Sequence, residues 1–287
     1  MKPLSIPVRA IGPASQVEDE PLQYLDIPHE MATFRMPSVP QRTDQEALSE
    51  ARSVLDEFAD ALGPWDPASS PIGPRLGVSG VSPGALAVIN QMLGEGEVSI
   101  QIAGPEPMRI QESVFTGIWR VRPLNGHGEM TGDWIEAAAL PEVVMRTASA
   151  AESRVAPVTL PEGTMNSPAL LQEIESAMRA WRPNAPAHVV NLTLFPLTPE
   201  DHRVLELALP VGPVAMISRG FGNCRITSSL ARNVWRVQYF NTMNTLILNT
   251  LEVVAAPEVA LAAADDLNDS RERLGELVAW MAADLSA

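Results

Sequence analysis

An α+β fold is predicted, built from two tandem copies of one module in which two helices precede an antiparallel sheet and a short helix. Three observations predict it. The first is an internal repeat: shifting the sequence by 116 places lays Gly96 on Gly212, Val98 on Val214, Gly104 on Gly220 and Arg109-Ile110 on Arg225-Ile226. The same shift lays Ser113 on Ser229, Trp119-Arg120-Val121 on Trp235-Arg236-Val237, Glu136 on Glu252 and Pro141-Glu142-Val143 on Pro257-Glu258-Val259. Fifteen of the 48 positions from Gly96 to Val143 are identical without a gap, where composition alone would give roughly three. A period this long, seen twice, marks a duplicated unit and not a solenoid. The second observation is that each copy reads as helical periodicity followed by period-two strands. The third is size: 287 residues allow two lobes of about 110 residues, each large enough for a core.

Residues 1–43 hold seven prolines and little periodicity, which reads as an extended N-terminal arm. Apolar islands within it (Leu22, Tyr24, Leu25, Ile27; Met31, Phe34, Met36) suit an arm that packs on something. The first lobe is expected over 44–150. Leu48, Ala51, Leu55, Phe58 and Leu62 share one face of a helix from Asp44 to Leu62. Ser82-Pro83, a cap residue followed by proline at the first helical position, opens a second helix that runs to about Leu93. Val98, Ile100 and Ile102 alternate as a strand, and a Gly104-Pro105-Glu106-Pro107 turn follows. Met108 to Val121 reads as strand broken near Gly117, Trp134 to Ala139 as a further strand, and Pro141 as the start of a short helix.

Ser149 to Asn166 is the expected linker, and the second lobe is expected over 165–287. Its helices run from Pro168 to Trp181 and from Thr198-Pro199 to Leu209, with a strand at Val189–Leu194 between them. Strands follow at Val214–Ser218, Cys224–Leu230, Val234–Phe240 and Leu246–Val254, and Pro257 opens a helix. Asn268 to Leu285 adds an amphipathic C-terminal helix with no counterpart in the first copy.

Composition narrows the function classes. A net charge of −15 would repel nucleic-acid phosphates. No apolar run approaches the ~20 residues that span a bilayer, and the first residues lack the apolar core of a signal peptide. A single cysteine excludes an internal disulfide and suits a reducing compartment. The expectation is a cytoplasmic protein without nucleic-acid or membrane partners.

Cys224 is the leading candidate for chemistry. It follows Gly220, Gly222 and Asn223 in a glycine-rich turn and precedes Arg225, which could stabilise a thiolate. A free cysteine is also among the most buried residue types, and its repeat partner Met108 is apolar. The turn is expected to place Cys224 at a strand start near the surface, because glycines supply no side chains to bury. His29, His127, His188 and His202 show no catalytic spacing, so a thiol enzyme is not expected. They form no metal-ligand cluster with the cysteine, and one thiolate does not complete a four-cysteine iron–sulfur shell. Gly220-Phe221-Gly222 lacks the lysine and context of a phosphate-binding loop. The pairs Trp119-Arg120 and Trp235-Arg236 should send tryptophan into the core and arginine to the opposite face, although both residue types also anchor interfaces. Glu112 is expected to pair with Arg120 or Arg109 across strands.

Longer motifs resemble a known family. Gly222-Asn223-Cys224-Arg225-Ile226, Asn233 to Asn241, Leu248-Asn249-Thr250-Leu251-Glu252-Val253 and Asp269-Ser270-Arg271-Glu272-Arg273-Leu274 are similar to the signature of the HupH/HyaF family. So are Gly94 to Ile100 and Ile110-Gln111-Glu112-Ser113 in the first lobe, and Ile6-Pro7-Val8, Gly12 to Gln16 and Met31 to Pro37 in the arm. The family comprises accessory proteins of nickel–iron uptake-hydrogenase maturation. The resemblance implies a non-enzymatic chaperone or scaffold that acts on the iron–sulfur small subunit before export. It implies that subunit and a thioredoxin-like hydrogenase chaperone as partners, and it supplies no catalytic residues. No resident cofactor is expected. The alternative is transient handling of an iron–sulfur cluster by Cys224 with partner thiolates.

Overall fold

The computed structural model describes residues 45–220 and 222–284; the arm expected over 1–43 lies outside them. In the first half the elements are α1 (Gln45–Leu62), β1 (Ile72–Gly77), α2 (Pro83–Leu93), β2 (Val98–Ile102), β3 (Met108–Glu112), β4 (Ile118–Pro123), β5 (Trp134–Ala138) and α3 (Glu142–Ser149). The second half holds α4 (Ser167–Ala180), β6 (His188–Asn191), α5 (Pro199–Ala208), β7 (Val211–Ser218), β8 (Asn223–Ser229), β9 (Val234–Phe240), β10 (Leu246–Val253) and α6 (Ala264–Asp284). The fold is α+β, with every named strand in one ten-stranded antiparallel sheet ordered β1-β5-β4-β3-β2-β7-β8-β9-β10-β6.

Local chemistry explains the helix starts. Ser82 caps α2 by accepting from the Ala85 N–H, with Pro83 behind it. Thr198 and Asp201 form a reciprocal capping box on α5, which satisfies donors that a helix start leaves orphaned. Asp201 also ties α5 to the start of α4, accepting from the backbone N–H groups of Met165, Asn166 and Ser167. Burial alone would raise its pKa, but the Ser167, Thr198 and Met165 N–H groups outweigh that and hold it well below the usual carboxylate range.

Four elements depart from the sequence reading; the strand expected over Val189–Leu194 is β6 (His188–Asn191) followed by a 3-10 turn, Leu192–Leu194. β1 was not visible because Gly73, Pro74 and Gly77 interrupt it and its pairing with β5 is irregular between Ile72 and Arg75. Gly73 is required there, since a Cβ would stand 2.7 Å from the Trp65 ring. The helix expected at Pro257 is a single 3-10 turn, Glu258–Ala260. The terminal helix opens at Ala264, four residues before Asn268.

Strand register repeats with the 116-residue offset. Arg109↔Arg122, Ile110↔Val121 and Glu112↔Trp119 on β3–β4 correspond to Arg225↔Gln238, Ile226↔Val237 and Ser228↔Trp235 on β8–β9. The two halves meet where β2 pairs with β7, as Val98↔Ser218, Ile100↔Met216 and Ile102↔Val214. Under the offset each of these pairs maps onto its reciprocal, so the junction has a local two-fold at Ile100–Met216, as in an isologous interface.

Alternation then sorts side chains to two faces. One face carries a continuous apolar cluster across both halves, with Ile100, Ile110, Trp119, Val121, Met216, Ile226, Trp235 and Val237, covered by Val143, Val144 and Ala148 of α3 and by Ala256 and Ala260. On the other face two separate clusters sit over the outer strands. One joins α1, α2 and α6 to Ile118, Ile135 and Ala137; the other joins α4 and α5 to Val190, Val234, Leu251 and Val253.

The halves also exchange their trailing segments. Beyond α3 the chain crosses to the second half, where Glu152 receives Arg232 N–H and donates to Leu230, and Val155 enters the α4/α5 cluster. The stretch beyond β10 crosses the other way: Leu267, Leu274, Val278 and Met281 of α6 are buried in the first half's cluster. Arg271 of α6 donates to the Trp65 carbonyl. No helix among the described residues is long and apolar enough to cross a membrane.

Candidate functional site

The repeated tryptophans are structural groups. Trp119 and Trp235 are at most 1% exposed. Each indole N–H donates to a carbonyl on the neighbouring chain segment, Trp119 Nε1 to Ala138 at 2.8 Å and Trp235 Nε1 to Val254 at 3.1 Å. Ser113 and Ser229 form matching closed turns with Phe115 and Ala231. Gly96 and Gly212 lie so close to the Ser113 and Ser229 carbonyls that a Cβ at either would collide with backbone. The repeat identities thus trace to packing at equivalent places.

Cys224 is not at the surface, contrary to the expectation from its turn. It lies near the start of β8 as expected, but its side chain points to the shared apolar cluster and is fully buried. The glycines act before it: Gly222 adopts φ 94°, a left-handed value that glycine accepts readily. Gly220 sits against the carboxylate of the exposed Glu97 side chain, which would have to shift to admit a Cβ. Asn223 is exposed. Desolvation pushes the Cys224 thiol up to about 11; the hydrogen bond with the Tyr239 hydroxyl, opposite it on β9, works against that rise, and Glu252 adds to it. The raised pKa favours the protonated thiol over the nucleophilic, metal-binding thiolate. Arg225 does not reach it; its guanidinium stacks 4.6 Å above the Phe240 ring on the opposite face. Among the described residues no group of three or more His, Cys, Asp or Glu side chains could hold a metal ion.

Cys224→Ser is therefore expected to destabilise by about 1–3 kcal/mol, the cost of a hydroxyl in an apolar site, while Cys224→Ala costs less. Iodoacetamide should label the native thiol far more slowly than the urea-unfolded chain. Mass spectrometry of timed aliquots checks this, and equal labelling rates would refute the burial.

Glu112 also departs from expectation. It pairs with neither Arg120 nor Arg109; its Oε1 accepts the Gly117 N–H at 3.0 Å, inside the turn before β4. Burial raises its pKa to about 7, against the lowering effect of the Gly117 and Val98 N–H groups. Alternation explains the miss, because Glu112 follows Met108 and Ile110 on the apolar face while both arginines lie opposite. Arg120 instead pairs with Asp133, through Nε and through Nη2–Oδ2 at 2.7 Å. Asp133 precedes β5 and was not foreseen; its only sequence signal is its place before Trp134. Arg122 Nη2 donates to Asn90 on α2 at 3.2 Å.

The structure thus splits the candidate residues by face. Trp119, Trp235, Cys224 and Glu112 lie on the buried side. Arg109, Arg120, Arg225 and Arg236 are gathered on the side where the helices stand only over the outer strands. Ser99, Gln101, Gln111 and Thr227 lie among these arginines at half-buried positions. Among the described residues these side chains form a polar, arginine-bearing sheet surface.

The model of the HupH hydrogenase expression protein, C-terminal conserved region, matches residues 48–156 and again 164–281. The chain is 42% identical over 283 residues to the hydrogenase expression/formation protein HoxQ of Cupriavidus necator, covering 98% of this chain and 99% of that one. It is 38% identical to HupH of Rhodobacter capsulatus, with 95% and 96% covered. Against the hydrogenase-1 operon protein HyaF of Escherichia coli it is 30% identical, with 95% of each chain covered. A solved structure, the hydrogenase expression protein HupH from Thiobacillus denitrificans, aligns at 24% identity with a TM-score of 0.36, over 39% of this chain and 92% of that one.

Proposed function

The chain belongs to the HupH family of hydrogenase expression proteins, and from that premise we propose that it serves the maturation of a nickel–iron hydrogenase as a non-enzymatic chaperone. Its client in this reading is the iron–sulfur small subunit, held in the cytoplasm before export, with a thioredoxin-like chaperone of the same pathway as co-partner. The observation that carries the reading is near end-to-end similarity to proteins named for hydrogenase expression and formation. The helix-flanked arginine face supports a binding role. We also read the chain as a tandem duplication, supported by the two separate family matches and the constant 116-residue offset in strand register. In this reading Cys224 shapes the core. Transient cluster handling would require the β7–β8 hairpin to open and expose the sulfur.

Deleting the gene in a hydrogenase-bearing host should abolish uptake-hydrogenase activity and leave small-subunit precursor unexported. A tagged full-length chain should co-purify with that precursor. Unchanged activity in the deletion strain, or capture of the large subunit alone, would overturn the small-subunit assignment.

A further inference from the structure

The ten-stranded sheet ends on two strands that the 116-residue offset relates, and they are built differently. β1 is outermost on one side and β6 on the other, and the offset lays Ile72 of β1 on His188 of β6. Where the first edge reads Gly73-Pro74-Arg75, the second reads Val189-Val190-Asn191. β1 carries several of the devices that stop a sheet edge from pairing further. Pro74 has no N–H to donate, the ladder is irregular between Ile72 and Arg75, and Arg75 sets its charge over the Trp134 ring and beside Glu136. β6 has none of these. Its ladder to β10 is regular from His188 to Asn191, and residues 185–199 hold no Lys, Arg, Asp or Glu. Among the described residues β10 is its one neighbour, and in an antiparallel pair alternate residues turn N–H and C=O away from that neighbour.

Beside that edge lies a groove of about 510 Å³, lined by His188 of β6 and by Ala169, Gln172, Glu173, Ser176 and Ala180 of α4. The inner face of α4 is committed, since Leu170, Leu171 and Ile174 pack with Val190 in the α4/α5 cluster. On the groove side Ala169, Ser176 and Ala180 are exposed and small, so the helix leaves room for a chain running along β6. His188 Nε2 lies 2.8 Å from Glu173 Oε1, which gives the groove a carboxylate whose partner is charged only when protonated. Val189 points to the opposite face of the sheet and is 50% exposed, an apolar neighbour for an added strand. The four residues of β6 span only ~13 Å. A second copy joined through them would fall short of the ~800 Å² per partner that a stable interface buries. An extended segment would bond its backbone to β6 and lay alternate side chains in the groove, for which a short edge is enough.

We propose that the β6 edge and the adjoining face of α4 form a strand-addition site for an extended segment of a partner protein, rich in β-branched residues and free of acids. Main-chain bonds to β6 supply the affinity, and the groove selects the side chains at alternate positions. Glu173 and the net charge of −15 disfavour an acidic segment. The proposal goes beyond the hydrogenase reading and does not depend on which component is the client.

Fluorescence anisotropy tests it, with the full-length chain and a labelled heptapeptide that alternates valine and threonine between terminal lysines. At about 0.15 M salt, where exposed charges are screened over ~8 Å, the peptide should bind saturably. The same peptide methylated on every backbone nitrogen keeps its charge and side chains but loses its donors, and should bind about 10-fold more weakly or worse. Ser176→Trp fills the groove from an exposed helical position and should weaken binding of the parent peptide by about 10-fold as well. Ser53→Trp, an exposed change on α1, should shift affinity less than about 3-fold. Circular dichroism checks that the variants fold, and Ala180→Trp replaces Ser176→Trp if that variant does not. Absent binding to the full-length chain, equal affinity for the methylated peptide, retained affinity in the groove variant, or tighter binding of a peptide with terminal glutamates would each overturn the proposal. So would a dimer of the chain, seen by sedimentation velocity, that the peptide dissociates, since the edge would then belong to a second copy.

Discussion

Ending the chain after Ala263, which removes α6, is expected to leave a protein that does not fold cooperatively. The helix inserts Leu267, Leu274, Val278 and Met281 into the first half's core, all at most 5% exposed. Each such burial is worth about 1.5–3 kcal/mol, so together they approach the whole stability of an ordinary domain, about 5–15 kcal/mol. Losing even half of that sum would leave little net stability. The truncation also strips Arg271 from the Trp65 carbonyl and Arg273 from the Phe115 ring. Urea unfolding followed by circular dichroism, with solubility alongside, measures the effect. Leu274→Asp should act in the same direction, because it buries an unpaired charge. A truncated chain that stays soluble and unfolds within about 1 kcal/mol of the intact one would show α6 to be dispensable.

Trp235→Ala is expected to cost about 3–5 kcal/mol, the range for deleting a large buried aromatic. Trp235 is fully buried in the shared cluster, and its loss also removes the hydrogen bond to the Val254 carbonyl. Trp235→Phe keeps most of the packing and loses the hydrogen bond, so about 1–2 kcal/mol is expected. The same pair of substitutions at Trp119, bonded to Ala138, should behave alike. Equilibrium urea denaturation distinguishes the outcomes. If Trp235→Ala cost under about 1 kcal/mol while client binding failed, the tryptophan would be an interface anchor instead of a core residue.

Two of these expectations rest on features visible in the sequence to different degrees. Trp235 was legible, because period two around Val234–Phe240 fixes which neighbours share a face and the repeat shows the same pattern at Trp119. The role of α6 was not. Its apolar periodicity marks a buried stripe, but periodicity says nothing about what the stripe meets, and the helix follows the second half while packing on the first. The arginine face was half legible: alternation opposes Arg120 to Trp119, yet the pairing of Arg120 with Asp133 depends on where β5 is placed in the sheet.

The sequence by itself determined the α+β class, most element positions and the 116-residue correspondence, because these follow from local periodicity, caps and turns that each segment carries within itself. The interrupted strand β1 escaped, since its glycines and proline are set by contacts with Trp65 and β5 that lie outside the segment. Only the tertiary structure decided that Cys224 is buried, that Glu112 bonds to a turn and that Arg120 pairs with Asp133. Each of those outcomes depends on which distant element covers a face of the sheet. Burial sets both the protonation of a group and the partner it needs, and burial is a property of the assembled chain.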